Sequence, residues 1–330
     1  MIFYINFAEG LSLYIGALTF GAFIFAESLI LNFFARHFFI KLNLLDSPDG
    51  ELKTHKTPVP YSGGTAIVLA YVVSCFFISY FFNIGVNFSF ILYLLPFFAL
   101  GLVDDIVCVS QKIKFAVQLV LLFCVLYGLQ LKVGSIEVIW MLAVINAFNL
   151  IDVADGLCGT ISLMVAANFS LIAIILGQSS LAMHFGVFAL TVAGFLFFNL
   201  PPARCYLGDA GSTFLGANFA IMPWLISWPS TSIKLLSSTV ILGLALAEVV
   251  ALVIIRSYLG LAPYRGSPHH FVHFLQAKKW SKTKIISFVF LINLLLGILG
   301  AGLVWQAVNL SLLLSFLPVA FCLWLLVVYF

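Results

Sequence analysis

The sequence predicts an all-α integral membrane protein with about eleven transmembrane helices. Three observations lead to this prediction: 63% of the 330 residues are apolar, only 8% are charged, and the apolar residues form long runs. A soluble globular domain carries roughly 25% charged residues, so this composition excludes a water-soluble fold. Backbone groups inside lipid must be hydrogen-bonded within their own segment, and the apolar runs are therefore predicted to be helices.

The predicted spans follow one another with short polar connections and form a single polytopic membrane domain over residues 1–330. Several runs are shorter than the about 20 residues that an upright helix needs. The first run lacks a basic start and a small-residue cleavage site, so we interpret it as a retained span rather than a signal peptide. In chain order, the predicted spans are 11–35, 62–82, 88–103, 113–130, 135–151, 159–177, 180–200, 212–228, 235–258, 285–307 and 309–330.

Lysine and arginine are distributed unequally between the two predicted sides of the membrane. If the N-terminus is outside, all but Lys132 and Lys234 of the 15 basic residues fall on one side. The positive-inside rule makes that side cytoplasmic, and the odd number of spans places the C-terminus there too. The same topology puts every acidic segment described next, and the histidine segment, on the cytoplasmic face.

Five aspartates lie in three short polar interruptions of the apolar chain. Asp104 and Asp105 occur in GLVDDI, Asp152 and Asp155 in NAFNLIDVADGL, and Asp209 in YLGDAGSTFLG. Acids beside membrane spans are costly, so such clustering indicates a functional site. Carboxylates flanked by Gly, Ser and Asn favour a divalent metal ion together with a phosphate.

Each acidic segment has a functional and a structural interpretation. Adjacent helical residues point about 100° apart, so we expect one of Asp104 and Asp105 in the site and the other in support; alternatively, both solvate a helix end. Asp209 lies in a glycine-rich turn before a span, where exposed amides favour an anion and a carboxylate suits Mg²⁺; alternatively, the turn is only a helix cap.

Polar residues recur at every third position in the central acidic segment, at Asn146, Asn149, Asp152 and Asp155. On a helix this step keeps neighbours on one side, which favours a stripe that binds a cation, a sugar or a phosphate. The structural alternative is a polar seam between helices, although burying two acids without a counter-ion is costly.

Two basic segments are candidate anion sites. His269 and His273 have the i, i+4 spacing of metal ligands, but no HExxH pattern is present. We therefore prefer a phosphate or nucleotide role for His269, His270 and His273 together with Arg265, over interfacial histidines. The segment before the second span is predicted to hold a lipid phosphate, or else to provide ordinary positive-inside charge; its residues are Lys53, His55 and Lys56.

Taken together, these motifs resemble the polyprenyl-phosphate N-acetylhexosamine-1-phosphate transferase family, also called glycosyltransferase family 4. The resemblance follows chain order over most of the sequence, through HKTPVPYSGG (55–64), GLVDDI (101–106), NAFNLIDVADGL (146–157), YLGDAGSTFLG (206–216) and HHFVH (269–273). It implies transfer of a sugar-1-phosphate from a UDP-sugar to a polyprenyl phosphate, with release of UMP. It further implies Mg²⁺ as cofactor, with Mn²⁺ as an alternative, and a bacterial inner-membrane location.

The resemblance also implies roles for single residues. Asp209 is the leading metal ligand, and Asp104 and Asp105 match the acids near the lipid phosphate. Asn149, Asp152 and Asp155 match the central acidic segment, and the three histidines match the loop that handles the nucleotide-sugar diphosphate. The residues leave open whether Asp104 is a base, a positioning residue or a nucleophile, and whether the protein forms a homodimer. Nothing indicates a nucleic-acid partner.

The sequence departs from the family pattern at Val153, Ala210 and Glu248. The usual residues there are Gly, Thr and Asp, and the histidine segment matches neither main branch. Short loops leave little room for a pentapeptide, so we favour a UDP-N-acetylhexosamine substrate over the phospho-MurNAc-pentapeptide translocase reaction.

Three other functional classes are alternatives to this interpretation. A cation-coupled transporter usually has midplane acids and internal repeats, which this sequence lacks. A CDP-alcohol phosphotransferase needs a DGxxAR motif, but Asp155-Gly156 is followed by LCGT. The third class is a degenerate scaffold without activity.

Overall fold

The computed structural model describes residues 7–46, 58–82, 88–262, 267–305, 321, 322, 324, 325 and 328. This part of the chain forms a bundle of α-helices with one short strand pair, in which β1 (Leu45–Asp46) runs antiparallel to β2 (Val59–Pro60). In chain order the helices are α1 Phe7–Lys41, α2 Gly63–Phe82, α3 Phe88–Val107, α4 Gln111–Gly128, α5 Ser135–Ile151, α6 Leu157–Ile175, α7 Ser179–Asn199, α8 Gly208–Ile221, α9 Thr231–Ile241, α10 Gly243–Tyr258, α11 Phe271–Ala277 and α12 Lys282–Val304.

Seven described helices are long and apolar enough to cross a membrane, namely α1, α2, α3, α4, α6, α7 and α12. An eighth span results if α9 and α10, which meet at an angle of 75°, count as one broken helix. These helices confirm the predicted class of an all-α, multi-spanning membrane protein.

The described residues do not reach the predicted span count, because two predicted spans are short helices. Helix α5 has 17 residues and α8 has 14, which at 1.5 Å per residue gives about 26 Å and about 21 Å, against about 30 Å of hydrocarbon. Helix α8 continues into a 3₁₀ turn at Met222–Leu225. Most of the predicted span 309–330 lies outside the described residues.

Helix α8 is the buried centre of the bundle and packs against α2, α3 and α5. Two glycines allow this close packing, since a Cβ on Gly64 would collide with the backbone nitrogen of Gly211. A Cβ on Gly101 would likewise collide with the backbone oxygen of Asp209. The small residues therefore bring the backbones of α2 and α3 against the first turn of α8, where Asp209 lies.

Candidate active site

The first turn of α8 is held by the carboxylate of Asp105 on α3. Asp105 Oδ1 accepts a hydrogen bond from the backbone N–H of Asp209 at 2.7 Å, and Oδ2 accepts one from Ala210 at 2.9 Å. Gly208 precedes this turn with φ +73°, a left-handed conformation that glycine adopts without strain. The prediction that these amides are exposed for a ligand anion is wrong, because both donate to Asp105.

Asp104 points to a different partner, as the 100° rotation between adjacent helical residues predicts. Its Oδ2 lies 2.7 Å from the ammonium nitrogen of Lys114, and its Oδ1 accepts a hydrogen bond from the backbone N–H of Val109 at 2.7 Å. The side chain of Asp104 is 7% exposed and that of Lys114 is 3% exposed. Asp104 and Lys114 therefore form a buried ion pair between α3 and α4.

Asp209 stands where the polar side chains of α4 and α5 meet. Lys114 Nζ lies 2.5 Å from Asp209 Oδ1, and the amide of Asn149 donates to the same oxygen. Asn149 also donates to the hydroxyl of Ser212 at 3.2 Å. The side chain of Asp209 is 36% exposed, so a carboxylate fixed by two donors remains open to solvent.

Asp104, Asp105, Lys114, Asn149 and Asp209 form a cluster at the first turn of α8. Asp152 is the C-cap residue of α5 and lies beside this cluster. Burial, followed by the negative charges of Asp209 and Asp105, raises the pKa of Asp152 to about 8. At neutral pH the carboxyl group of Asp152 is therefore mostly protonated. A bound cation would favour its ionised form.

Asp155 is not part of the cluster. Helix α5 ends at Ile151, and a turn leads to Gly156, which has φ +74°, so the three-residue polar step does not continue on one helix. The carboxylate of Asp155 instead lies 2.8 Å from Lys282 Nζ and accepts a weak hydrogen bond from the backbone N–H of Ala203 at 3.4 Å. The expectation of one continuous stripe through Asp155 is therefore wrong.

Two buried charged residues of α10 hold the histidine segment. Glu248 is 1% exposed, and its Oε1 lies 3.2 Å from His270 Nδ1 and accepts the backbone N–H of Phe271 at 3.1 Å. Arg256 is also 1% exposed, and its Nε donates to the hydroxyl of Ser267 at 2.9 Å. The orientation of α10 therefore fixes the position of the histidines.

The histidines do not form a metal cage. His269 precedes α11 and His273 lies within it, so the i, i+4 spacing does not place both on one helix face. Burial is the main cause that lowers the pKa of His273, which favours its neutral form. A small cavity separates α11 from the Asp155 turn; its residues are Ala154, Asp155, Leu157, Val272, Gln276, Lys282, Ile285 and Ile286. The histidine segment thus adjoins the acidic segment on its Asp155 side.

Lys114 was predicted only as one of the positive-inside charges, although it contacts two of the predicted acids, Asp104 and Asp209. The sequence signal for this contact was the short separation between Lys114 and Asp104 along the chain. A tight turn over 108–110 joins α3 to α4 and brings α4 back beside α3. The predicted contributions of Lys53, His55, Lys56 and Arg265 lie outside the described residues.

The acid cluster is compatible with Mg²⁺ but does not enclose it. Within the ranges that the structure describes, no group of three or more His, Cys, Asp or Glu residues converges as a metal cage. Mg²⁺ does not require one, because it keeps several waters and binds one or two carboxylates plus substrate phosphates. The partly exposed carboxylate of Asp209 fits such an open site.

The fold and the cluster define a multi-spanning membrane protein with a partly exposed, charged site at one end of its bundle. Residues 87–227 match the model of the family described as glycosyl transferase family 4. The matched part includes α3, α4, α5 and α8, which together supply the cluster.

Curated relatives extend the match over most of the chain. An undecaprenyl-phosphate alpha-N-acetylglucosaminyl 1-phosphate transferase of Thermotoga maritima is 29% identical, covering 81% of this chain and 84% of its own. A probable undecaprenyl-phosphate N-acetylglucosaminyl 1-phosphate transferase of Bacillus subtilis is 27% identical, covering 89% and 86%. A phospho-N-acetylmuramoyl-pentapeptide-transferase of Clostridium acetobutylicum is 24% identical, covering 77% and 87%. The resemblance to glycosyl transferase family 4 that the motifs predicted is thereby confirmed.

Proposed function

We propose that this protein transfers a sugar-1-phosphate from a UDP-N-acetylhexosamine to a polyprenyl phosphate and releases UMP. The observation that carries the proposal is the meeting of Asp104, Lys114, Asn149 and Asp209 at the first turn of α8. The names of the relatives supply the reaction class. The phospho-N-acetylmuramoyl-pentapeptide substrate is the second candidate, because relatives of that name match nearly as much of the chain.

The reaction exchanges one phosphorus–oxygen bond for another. A phosphate oxygen of the lipid attacks the phosphorus attached to the sugar, the bond to the oxygen shared with the uridine phosphate breaks, and UMP leaves with that oxygen. Both reactants are anions, so positioning and charge neutralisation dominate catalysis. Lys114 supplies a positive charge to this region, Asn149 orients the Asp209 carboxylate, and Asp105 holds the turn that carries it.

We infer that Asp209 is the principal ligand of a divalent cation, and that Asp152 lies close enough to contribute. When bound, Mg²⁺ or Mn²⁺ supplies Lewis-acid stabilisation of negative charge on the phosphates. Asp104, paired with Lys114, is assigned to the lipid-phosphate side of the site, and the segment His269–His270–His273 to the nucleotide-sugar side.

We also propose that the site faces the cytoplasm of a bacterial inner membrane. The distribution of Lys and Arg supports this orientation, since Lys132 and Lys234 alone would lie outside. A cytoplasmic site has direct access to UDP-sugars. Labelling of single cysteines at residues 112 and 132 with a membrane-impermeant reagent tests the orientation.

The proposed reaction is tested with purified protein, undecaprenyl phosphate, Mg²⁺ and a panel of UDP-sugars. We expect UMP and a lipid-linked sugar diphosphate in equal amounts with a UDP-N-acetylhexosamine. Product formation only with UDP-MurNAc-pentapeptide would select the second candidate. The absence of UMP with every donor would reject both candidates and favour a transporter.

Replacing Glu248 with glutamine should weaken binding of the UDP-sugar in particular. The change removes the charge beside His270 but keeps an acceptor for the amide of Phe271. We expect the KM for UDP-sugar to rise about tenfold, with the KM for polyprenyl phosphate unchanged. Glu27→Gln is the control, because Glu27 is also a glutamate within a helix but accepts a hydrogen bond from the hydroxyl of Ser74, away from the cluster. A fall in kcat with both KM values unchanged would contradict the assignment.

A further inference from the structure

The ammonium group of Lys114 occupies a position that suits a cation ligand of the acid cluster. It lies 2.5 Å from Asp209 Oδ1 and 2.7 Å from Asp104 Oδ2, and its side chain is 3% exposed. Lys114 is anchored in the first turn of α4, where its backbone N–H donates to Ser110 at 2.9 Å. The long side chain therefore spans two acids that belong to α3 and α8.

The two ion pairs of Lys114 differ in their surroundings. The side chain of Asp104 is 7% exposed, whereas that of Asp209 is 36% exposed. Burial strengthens an ion pair and exposure weakens it, so the contact with Asp209 is the easier one to break. A flexible four-carbon stem allows the ammonium group to leave one acid while remaining near the other.

We propose that Lys114 is a built-in counter-ion that competes with the divalent cation for Asp209. In the substrate-free protein, Lys114 neutralises Asp104 and Asp209 together. When the cation binds Asp209, Lys114 would release this residue and stay paired with Asp104, so its positive charge would remain beside the site. The exchange breaks no covalent bond and moves no proton. The place of this exchange in catalysis rests on the proposed function, and the competition itself rests on the divalent cation proposed at Asp209.

The competition is tested by Mg²⁺ binding to the purified full-length protein in the absence of both substrates. The midpoint of thermal unfolding is followed by tryptophan fluorescence while MgCl₂ is titrated. Lys114→Met should lower the apparent Kd for Mg²⁺ about tenfold, because it removes the competing cation from Asp209. Lys112→Met is the matched control: it removes an exposed lysine two residues away and should change the Kd less than about twofold, because salt screens exposed charges.

Several outcomes would overturn the proposal. An unchanged or weaker Mg²⁺ affinity in Lys114→Met would show that Lys114 does not compete. An equal gain in Mg²⁺ affinity in Lys112→Met would show a general charge effect. If MgCl₂ changed the unfolding midpoint of none of the proteins, the assignment of a cation to Asp209 would be rejected. If Lys114→Met does not fold, Lys114→Gln and wild-type protein are compared by electron paramagnetic resonance of bound Mn²⁺, with the same expected direction. The Mg²⁺ titration contains no substrate, so its result does not depend on the outcome of the UMP assay.

Discussion

Replacement of Asp209 by asparagine is expected to lower the rate of UMP release about a thousandfold while leaving the protein folded. Asn keeps the shape of the side chain and one oxygen that accepts from Lys114 and Asn149, so packing around α8 is preserved. It removes the negative charge that a divalent cation requires. The initial rate and the thermal unfolding midpoint are measured on the same preparation.

Glu137→Gln provides the control for this substitution. Glu137 lies in the first turn of α5, at the end opposite to Asp152, so about 22 Å of helix separates it from the cluster. Its removal tests whether any lost carboxylate slows the enzyme. If Asp209→Asn kept half of the wild-type rate, the assignment of Asp209 as the metal ligand would have to be abandoned.

The bounds of a helix were predictable where glycine or polar residues directly flank its apolar run. The predicted span 135–151 matches the bounds of α5 because Gly134 precedes the run and Asp152 ends it. The predicted span 11–35 falls short of α1, which continues to Lys41, because Arg36 and Lys41 extend the helix beyond its apolar part. Hydropathy detects the apolar part of a helix and gives no information about its polar extension.

The breaks inside apolar runs were not predictable from hydropathy. The run 235–258 is mostly apolar and was predicted to be one span, yet the structure divides it between α9 and α10, which meet at an angle of 75°. The bend lets Glu248 and Arg256 reach the histidine segment, which is a tertiary effect. The short length of α8 has a similar origin, because a helix buried among other helices does not need to match the bilayer.

The sequence predicted which acidic residues belong to the candidate site better than it predicted their contacts. Clustered acids in an apolar chain indicated that Asp104, Asp105 and Asp209 have a functional role, and the structure brings them together. The partner of each acid depends on side-chain direction and on the turns between helices. A lysine near a predicted cytoplasmic boundary is already explained by the positive-inside rule, so the sequence alone does not indicate the two ion pairs of Lys114.

Replacement of Asp105 by asparagine should lower both the thermal unfolding midpoint and the rate of UMP release, whereas Asp209→Asn should lower only the rate. Both oxygens of Asp105 accept backbone N–H groups, from Asp209 and from Ala210, at 2.7 Å and 2.9 Å. An amide offers only one acceptor and would turn its NH₂ group toward the other N–H. A lost hydrogen bond to a charged group costs about 1.5–3 kcal/mol, so the thermal unfolding midpoint should fall.

The displaced turn would also move Asp209 relative to Lys114 and Asn149. Misplacement of a reacting group by about 1 Å reduces rates about a hundredfold, and we expect a loss of that size in UMP release. Asp209→Asn thus removes activity at full stability, whereas Asp105→Asn removes both activity and stability. If Asp105→Asn instead lost activity at an unchanged unfolding midpoint, Asp105 would act on the substrate directly, and its role in holding the first turn of α8 would be secondary.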